Sequence, residues 1–232
     1  MKKILNNISL AFGYGYNCNS YLITSTDNET LMIDSGLGNF DENWGYSVNN
    51  PMEELLKILN SHRVTNIILT HAHLDHVGGV ASLTGEQKKN INIFCHEAEK
   101  THLESADSVY INPLNRFNLD PIAITRGLSN NDSLIIGEYT FDIIHTPGHT
   151  EGSMCLFESE KKILFSGDCV FPEGSFGRVD FPGSSPEKML SSLEFLASLE
   201  IESLFAGHME PILTNAKQSI NQSYRIAKSM IY

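Results

Sequence analysis

Long apolar runs are missing from this 232-residue chain, so no segment reads as a membrane-spanning helix. The N-terminus, Met1-Lys2-Lys3-Ile4-Leu5-Asn6-Asn7, has two lysines, but Asn6, Asn7, Ser9 and Gly13 interrupt any apolar core behind them. That pattern predicts no secretory signal and a cytoplasmic location. Cysteine is scarce. Cys18, Cys95, Cys155 and Cys169 are scattered without a CxxC spacing, which predicts reduced thiols that are mostly small buried residues. Basic residues are few too: 16 Lys and Arg against 28 Asp and Glu, a formal net charge of −12. So acidic a chain suits neither nucleic-acid phosphates nor an anionic membrane, and a small-molecule substrate is the expected partner. Repeats, low-complexity tracts and linkers are also absent. Residues 1–232 read as one globular domain, working as a monomer or homodimer.

Histidine is what the chain concentrates. Thr70-His71-Ala72-His73-Leu74-Asp75-His76-Val77-Gly78-Gly79 holds three of the nine histidines and an aspartate within six positions. The apolar, β-branched run Val64–Leu69 before it reads as a buried strand, and the residues after it read as a short helix starting near Asp75. His71 and His73, two apart on an extended segment, project to one side. The turn into the helix swings Asp75 and His76 back toward the same point. One histidine at a strand end is ordinarily a hydrogen-bonded surface or core residue. Four nitrogen and oxygen donors converging at one turn predict a site for zinc, iron or manganese.

Along the chain, strands are expected from Ile4 to Phe12, from Cys18 to Thr24 and from Glu29 to Asp34, forming a meander. Asp34 closes the last of these. It reads either as support for a metal-binding histidine or as a turn aspartate. Pro51 to His62 is an amphipathic helix, and Ile91 to Cys95 a strand that completes a βαβ unit with parallel pairing. Glu97 to Asn131 is the least regular stretch; its prolines, asparagines and aromatics predict a loop or lid after a short helical start. Tyr110, Arg116 and Phe117 in it are candidate substrate contacts, each weighed against a plain surface role. Strands resume at Leu134–Ile136, Tyr139–His145, Met154–Glu158, Lys162–Phe165 and Ser203–Ala206, with helices over Pro186–Leu199 and about Asn215–Met230. His62, His96, His102 and His145 are expected as surface or packing histidines.

His71, His149, Asp168 and His208 each follow an apolar strand within a few residues, in a glycine-containing turn. Strand ends of that kind can gather at one edge of a sheet sandwich. With the motifs His71-x-His73-x-Asp75-His76, Thr146-Pro147-Gly148-His149-Thr150, Gly167-Asp168 and Gly207-His208 in this order, the chain resembles the metallo-β-lactamase superfamily. The resemblance covers nearly the whole chain. It implies an α/β fold, a four-layer αβ/βα sandwich of two mixed β-sheets flanked by helices with the metal site at one edge. It also implies two divalent metal ions, zinc first, with iron or manganese as alternatives. His71, His73 and His149 would hold one, Asp75, His76 and His208 the other, with Asp168 between them. A hydroxide between the metals would be the nucleophile, and catalytic Asp75 would orient it and pass a proton to the leaving group.

Gly167-Asp168-Cys169-Val170-Phe171 and the segment Gly174 to Gly183 look most like the glyoxalase II (hydroxyacylglutathione hydrolase) branch, without that branch's C-terminal helical domain. The branch implies hydrolysis of a thioester or a related ester or lactone. Its persulfide dioxygenases, which use a single iron, share the Gly177-Arg178-x-Asp180-Phe181 segment and imply an oxidoreductase as the alternative. Lactonase or β-lactamase-like activity is a further one. Arg178 either binds a substrate carboxylate or fixes its loop by pairing with Asp180.

Overall fold

The computed structural model describes residues 1–39, 51–62, 64–83, 85–114 and 119–231. Among them seven strands form the first sheet in chain order: β1 (Lys2–Leu5), β2 (Ile8–Ala11), β3 (Ser20–Thr24), β4 (Thr30–Ile33), β5 (Asn66–Ile68), β6 (Asn92–His96) and β7 (Arg126–Leu128). The first four pair antiparallel in succession. From β4 onward the pairs are parallel, because α1 (Pro51–His62) and α2 (Leu74–Ser82), with the single turn α3 (Gly85–Lys88), carry the chain back between strands. Short α4 (Glu97–Ser105) and α5 (Ser108–Ile111) lie between β6 and β7. The second sheet runs β12 (Ser203–Ala206), β11 (Ile163–Gly167), β10 (Met154–Glu158), β9 (Tyr139–His145), β8 (Ser133–Ile136). Only β11 and β12 pair parallel, and α6 (Pro186–Ser198) lies between them in sequence. Helix α7 (Ala216–Ile231) closes the chain and lies against α6.

Alternation along the strands builds three apolar layers. Leu22, Met32 and Ile67 face Leu55, Ile58, Val77 and Val80 of α1 and α2. Their strand neighbours Tyr21, Ile23, Leu31, Ile33 and Ile68 point the other way, onto Phe141, Leu156, Phe165 and Phe205 of the second sheet. Cys155, Leu164 and Leu204 turn outward under Leu193, Leu196 and Ile220 of α6 and α7. Helix, sheet, sheet, helix is therefore the order of layers, the expected sandwich of two mixed sheets. All four cysteines are free and buried.

Three local expectations are corrected. The strand from Ile4 to Phe12 is two strands, folded back at Asn6-Asn7 so that Leu5 pairs with Ile8; asparagine side chains favour such a turn and outweigh the apolar run around them. The stretch from Glu97 to Asn131 holds the edge strand β7, whose Arg126 is exposed and whose Gly127 has no side chain, so no alternation marks it. It also holds α5, capped by Asp107, whose carboxylate accepts the Val109 and Tyr110 N–H groups at 3.2 and 3.3 Å.

Candidate active site

Loops leaving β5, β9, β11 and β12 meet at one rim of the sandwich. Their backbones are tied together: the Met154 N–H donates to Thr70 O at 3.0 Å and the Gly207 N–H to Gly167 O at 2.8 Å. Gly207 must be glycine for close approach, because a Cβ there would overlap Asp168 Oδ1 and stand 2.7 Å from His76 Cε1.

This rim brings all seven expected ligands together in two adjoining groups. His71, His73 and His149 form one; Asp75, His76, Asp168 and His208 form the other; and within each group the donor atoms lie within 4.8 Å of one another. Asp168 stands between them, with Oδ1 3.3 Å from His76 Nε2, and Oδ2 3.5 Å from His208 Nε2 and 3.7 Å from His149 Nε2. His208 Nε2 is 3.0 Å from Asp75 Oδ2.

The outer nitrogens of three histidines are held by oxygens, which assigns their tautomers. Thr70 Oγ1 donates to Asp34 Oδ2 at 2.8 Å and so accepts from His71 Nδ1 at 3.2 Å. His76 Nδ1 donates to Asp34 Oδ2 at 2.8 Å, and His149 Nδ1 to the Arg178 carbonyl at 2.8 Å. In the neutral rings each Nε2 then turns a lone pair inward, that of His149 toward His73 Nδ1 at 2.8 Å. His71 Nε2, His73 Nε2, His76 Nε2 and Asp168 Oδ1 are buried without any hydrogen-bond partner. Buried polar atoms are rarely left so, and imidazole and carboxylate donors oriented by outer hydrogen bonds are the surroundings a divalent cation requires. The donor set fits metal.

Electrostatics divide the two groups. Burial pushes His71 well below its usual range, takes His73 down to about 3, and lowers His149. This trio is neutral and can bind a cation without losing protons. Burial opposes charge on His208 as well, but Asp168 and Asp75 lift it well above its usual range. The carboxylates are lowered in turn: against burial, His208 and His76 hold Asp168 well down, and His76 and His208 lower Asp75.

Asp34 holds His76 and, besides the Thr70 hydroxyl, accepts the Thr70 N–H at 2.8 Å. Its backbone adopts the left-handed conformation, with φ of 56°. Arg178 lines the cavity beside the ligands, but its guanidinium is joined to Asp180 by two hydrogen bonds of 2.9 and 2.7 Å. Tyr110 is corrected as a substrate contact. Its ring is buried on His102, its hydroxyl donates to Glu99 at 3.1 Å, and it does not line the cavity. Arg116 and Phe117 lie outside the described residues.

Glu99 is the residue that local reasoning missed. Fully buried, its Oε1 accepts Thr150 Oγ1 at 2.7 Å and the Gly152 N–H at 2.6 Å, and its Oε2 accepts the Ala72 N–H at 3.1 Å. One carboxylate thus clamps the loop carrying His71 and His73 to the loop carrying His149. A glutamate in the first turn of a helix carries no signal of this beyond its favourable place near the positive end.

The sequence description of the metallo-beta-lactamase superfamily matches residues 13–208. The hydroxyacylglutathione hydrolase GloC of Haemophilus influenzae is 35% identical over 132 residues, 55% of this chain and 59% of that protein, so the alignment spans under two thirds of this relative. Among solved structures, BLEG-1 B3 metallo-beta-lactamase superposes with a TM-score of 0.73 at 27% identity, covering 94% of this chain and 96% of that one. TTHA1623 in a di-iron-bound form superposes with a TM-score of 0.67, also at 27% identity, over 88% and 93%. With the ligand motifs at the rim of a helix–sheet–sheet–helix sandwich and a match running through most of its length, the chain belongs to the metallo-beta-lactamase superfamily.

Proposed function

We propose that the chain is a metal-dependent hydrolase with two cation sites, cleaving a thioester or a related ester or lactone. The observation that carries the proposal is the pair of adjoining donor groups around Asp168, opening into one cavity. His71, His73 and His149 would hold one cation, Asp75, His76 and His208 the other, and Asp168 would lie between both. Bound there, zinc, iron or manganese supplies Lewis acidity that polarises the scissile carbonyl and acidifies a water. The His71, His76 and His149 rings are held by Thr70, Asp34 and Arg178 O, so their lone pairs keep a fixed direction. Asp75 lines the cavity, partly exposed, and its carboxylate is the group placed to take the proton of the attacking water and return it to the leaving sulfur or oxygen. Water and thioester thereby become acid and thiol, with no side-chain nucleophile. The similarity to a hydroxyacylglutathione hydrolase supports the thioester, and the di-iron neighbour supports two cations. A small-molecule substrate, a cytoplasmic setting suited to four buried thiols, and a single domain belong to the same proposal.

Elemental analysis of protein purified without added metal, followed by a thioester and lactone screen, tests this. Two cations per chain and hydrolysis are expected, with His73→Ala and Asp168→Ala each losing both a full complement of metal and activity. One iron per chain with oxygen uptake on a persulfide would overturn it in favour of a dioxygenase.

A further inference from the structure

The cavity beside the ligands has about 330 Å³ of space and two unlike sides. One is the polar floor of His73, Asp75, His149, Asp168 and His208. The other is apolar, and its aromatic rings stand directly over the chemistry. Phe181 meets His73 edge-on with ring centres 5.5 Å apart, and Phe171 approaches His208 at 6.0 Å. Phe176, Leu74 and Leu114 continue this wall. At the mouth, Tyr16, Leu114 and Met209 are all exposed although large and apolar. Exposed apolar side chains gathered around a concave site mark a place where an apolar group is received.

Arg178 is the one lysine or arginine among the described residues lining the cavity, and its Nε and Nη2 are engaged by Asp180. Its guanidinium lies 4.2 Å over the Phe181 ring, so it props that ring and its charge is already compensated.

We infer that the substrate is a thioester or lactone whose group next to the scissile carbonyl is apolar and uncharged, an alkyl or aryl acyl chain, received by the Phe171, Phe176 and Phe181 wall. This rests on the hydrolase proposal and narrows its substrate class. A fully buried methylene is worth about fourfold in binding. Four added methylenes, partly exposed at the mouth, then amount to at least roughly tenfold.

The test is a series of acyl thioesters of one neutral thiol, N-acetylcysteamine, hydrolysed by the metal-loaded protein. Hexanoyl is expected to exceed acetyl in kcat/KM by at least about tenfold, with succinyl no better than acetyl. Leu114→Ala, at an exposed position, and Phe176→Ala are expected to narrow the hexanoyl-to-acetyl ratio. Cleavage with a ratio near one, or a preference for succinyl, overturns the inference and leaves the hydrolase proposal standing. Absence of thioester and lactone cleavage by protein carrying two cations overturns both.

Discussion

Glu99 sits in the first turn of α4, where a carboxylate ordinarily faces water, yet here it is fully buried and accepts four hydrogen bonds. Burial raises its pKa, and the bonds from Thr150, Gly152 and Tyr110 work against that rise. The Oε2 position facing the Ala72 N–H is where a carboxamide would differ, because an NH2 group there sets donor against donor. Glu99→Gln is therefore expected to cost about 1–3 kcal/mol in denaturant unfolding, the penalty for an unsatisfied buried amide. It is also expected to weaken cation binding, since Ala72 lies between His71 and His73. Unchanged unfolding midpoint and metal stoichiometry would show that the clamp contributes nothing. Residues such as His71, His73 and Asp75 were legible in sequence because the local strand-to-helix backbone already brings them together. Glu99 was not, because the loops it joins lie 27 and about 50 positions away.

Helix α4 begins with an unusual cap. The Ala98 N–H donates to His96 Nδ1 at 3.2 Å, and the His96 ring stacks on His145 with centres 3.9 Å apart. Burial, with the neighbouring His145, takes the His96 pKa down to about 4. In the unfolded chain the same ring protonates near 6.5. Between these values the unfolded chain holds a proton that the folded one does not, so stability falls as pH drops from about 6.5 to about 4 and levels off below. His96→Asn keeps an acceptor for the cap while removing the titration. Equilibrium unfolding at pH 7 and pH 5 is expected to show a smaller loss in the variant than in the parent; equal losses would rule out His96 as the source. Elements with strong periodicity, α1, β5 and β12 among them, stood close to where the sequence placed them. The exposed edge β7 did not, because a strand of three residues with one apolar side chain takes its structure from pairing with β6.

Seen as a whole molecule, the candidate centre joins the two halves of the sandwich. His71, His73, Asp75 and His76 come from the first sheet and its helix, and His149, Asp168 and His208 from loops of the second. Cations bound there would cross-link both sheets and bind the folded state alone. At a free concentration 100 times the dissociation constant, each adds about 2.7 kcal/mol, or roughly 5–10 °C in Tm for a chain of this size. Chelation is expected to lower Tm by at least that amount and re-addition of zinc to restore it; identical melting with and without cation would deny the cross-link. The sequence by itself determined the types of the candidate donors, their order, and the alternation that makes two sheets and three apolar layers, since strand periodicity and strand-end turns are local properties. Only the tertiary structure decided how closely the seven donors approach one another, that Asp34 and Glu99 hold their loops, that Tyr110 supports a loop, and that three phenylalanines wall the cavity. Those outcomes depend on contacts between residues far apart in the chain, which packing selects and no local pattern encodes.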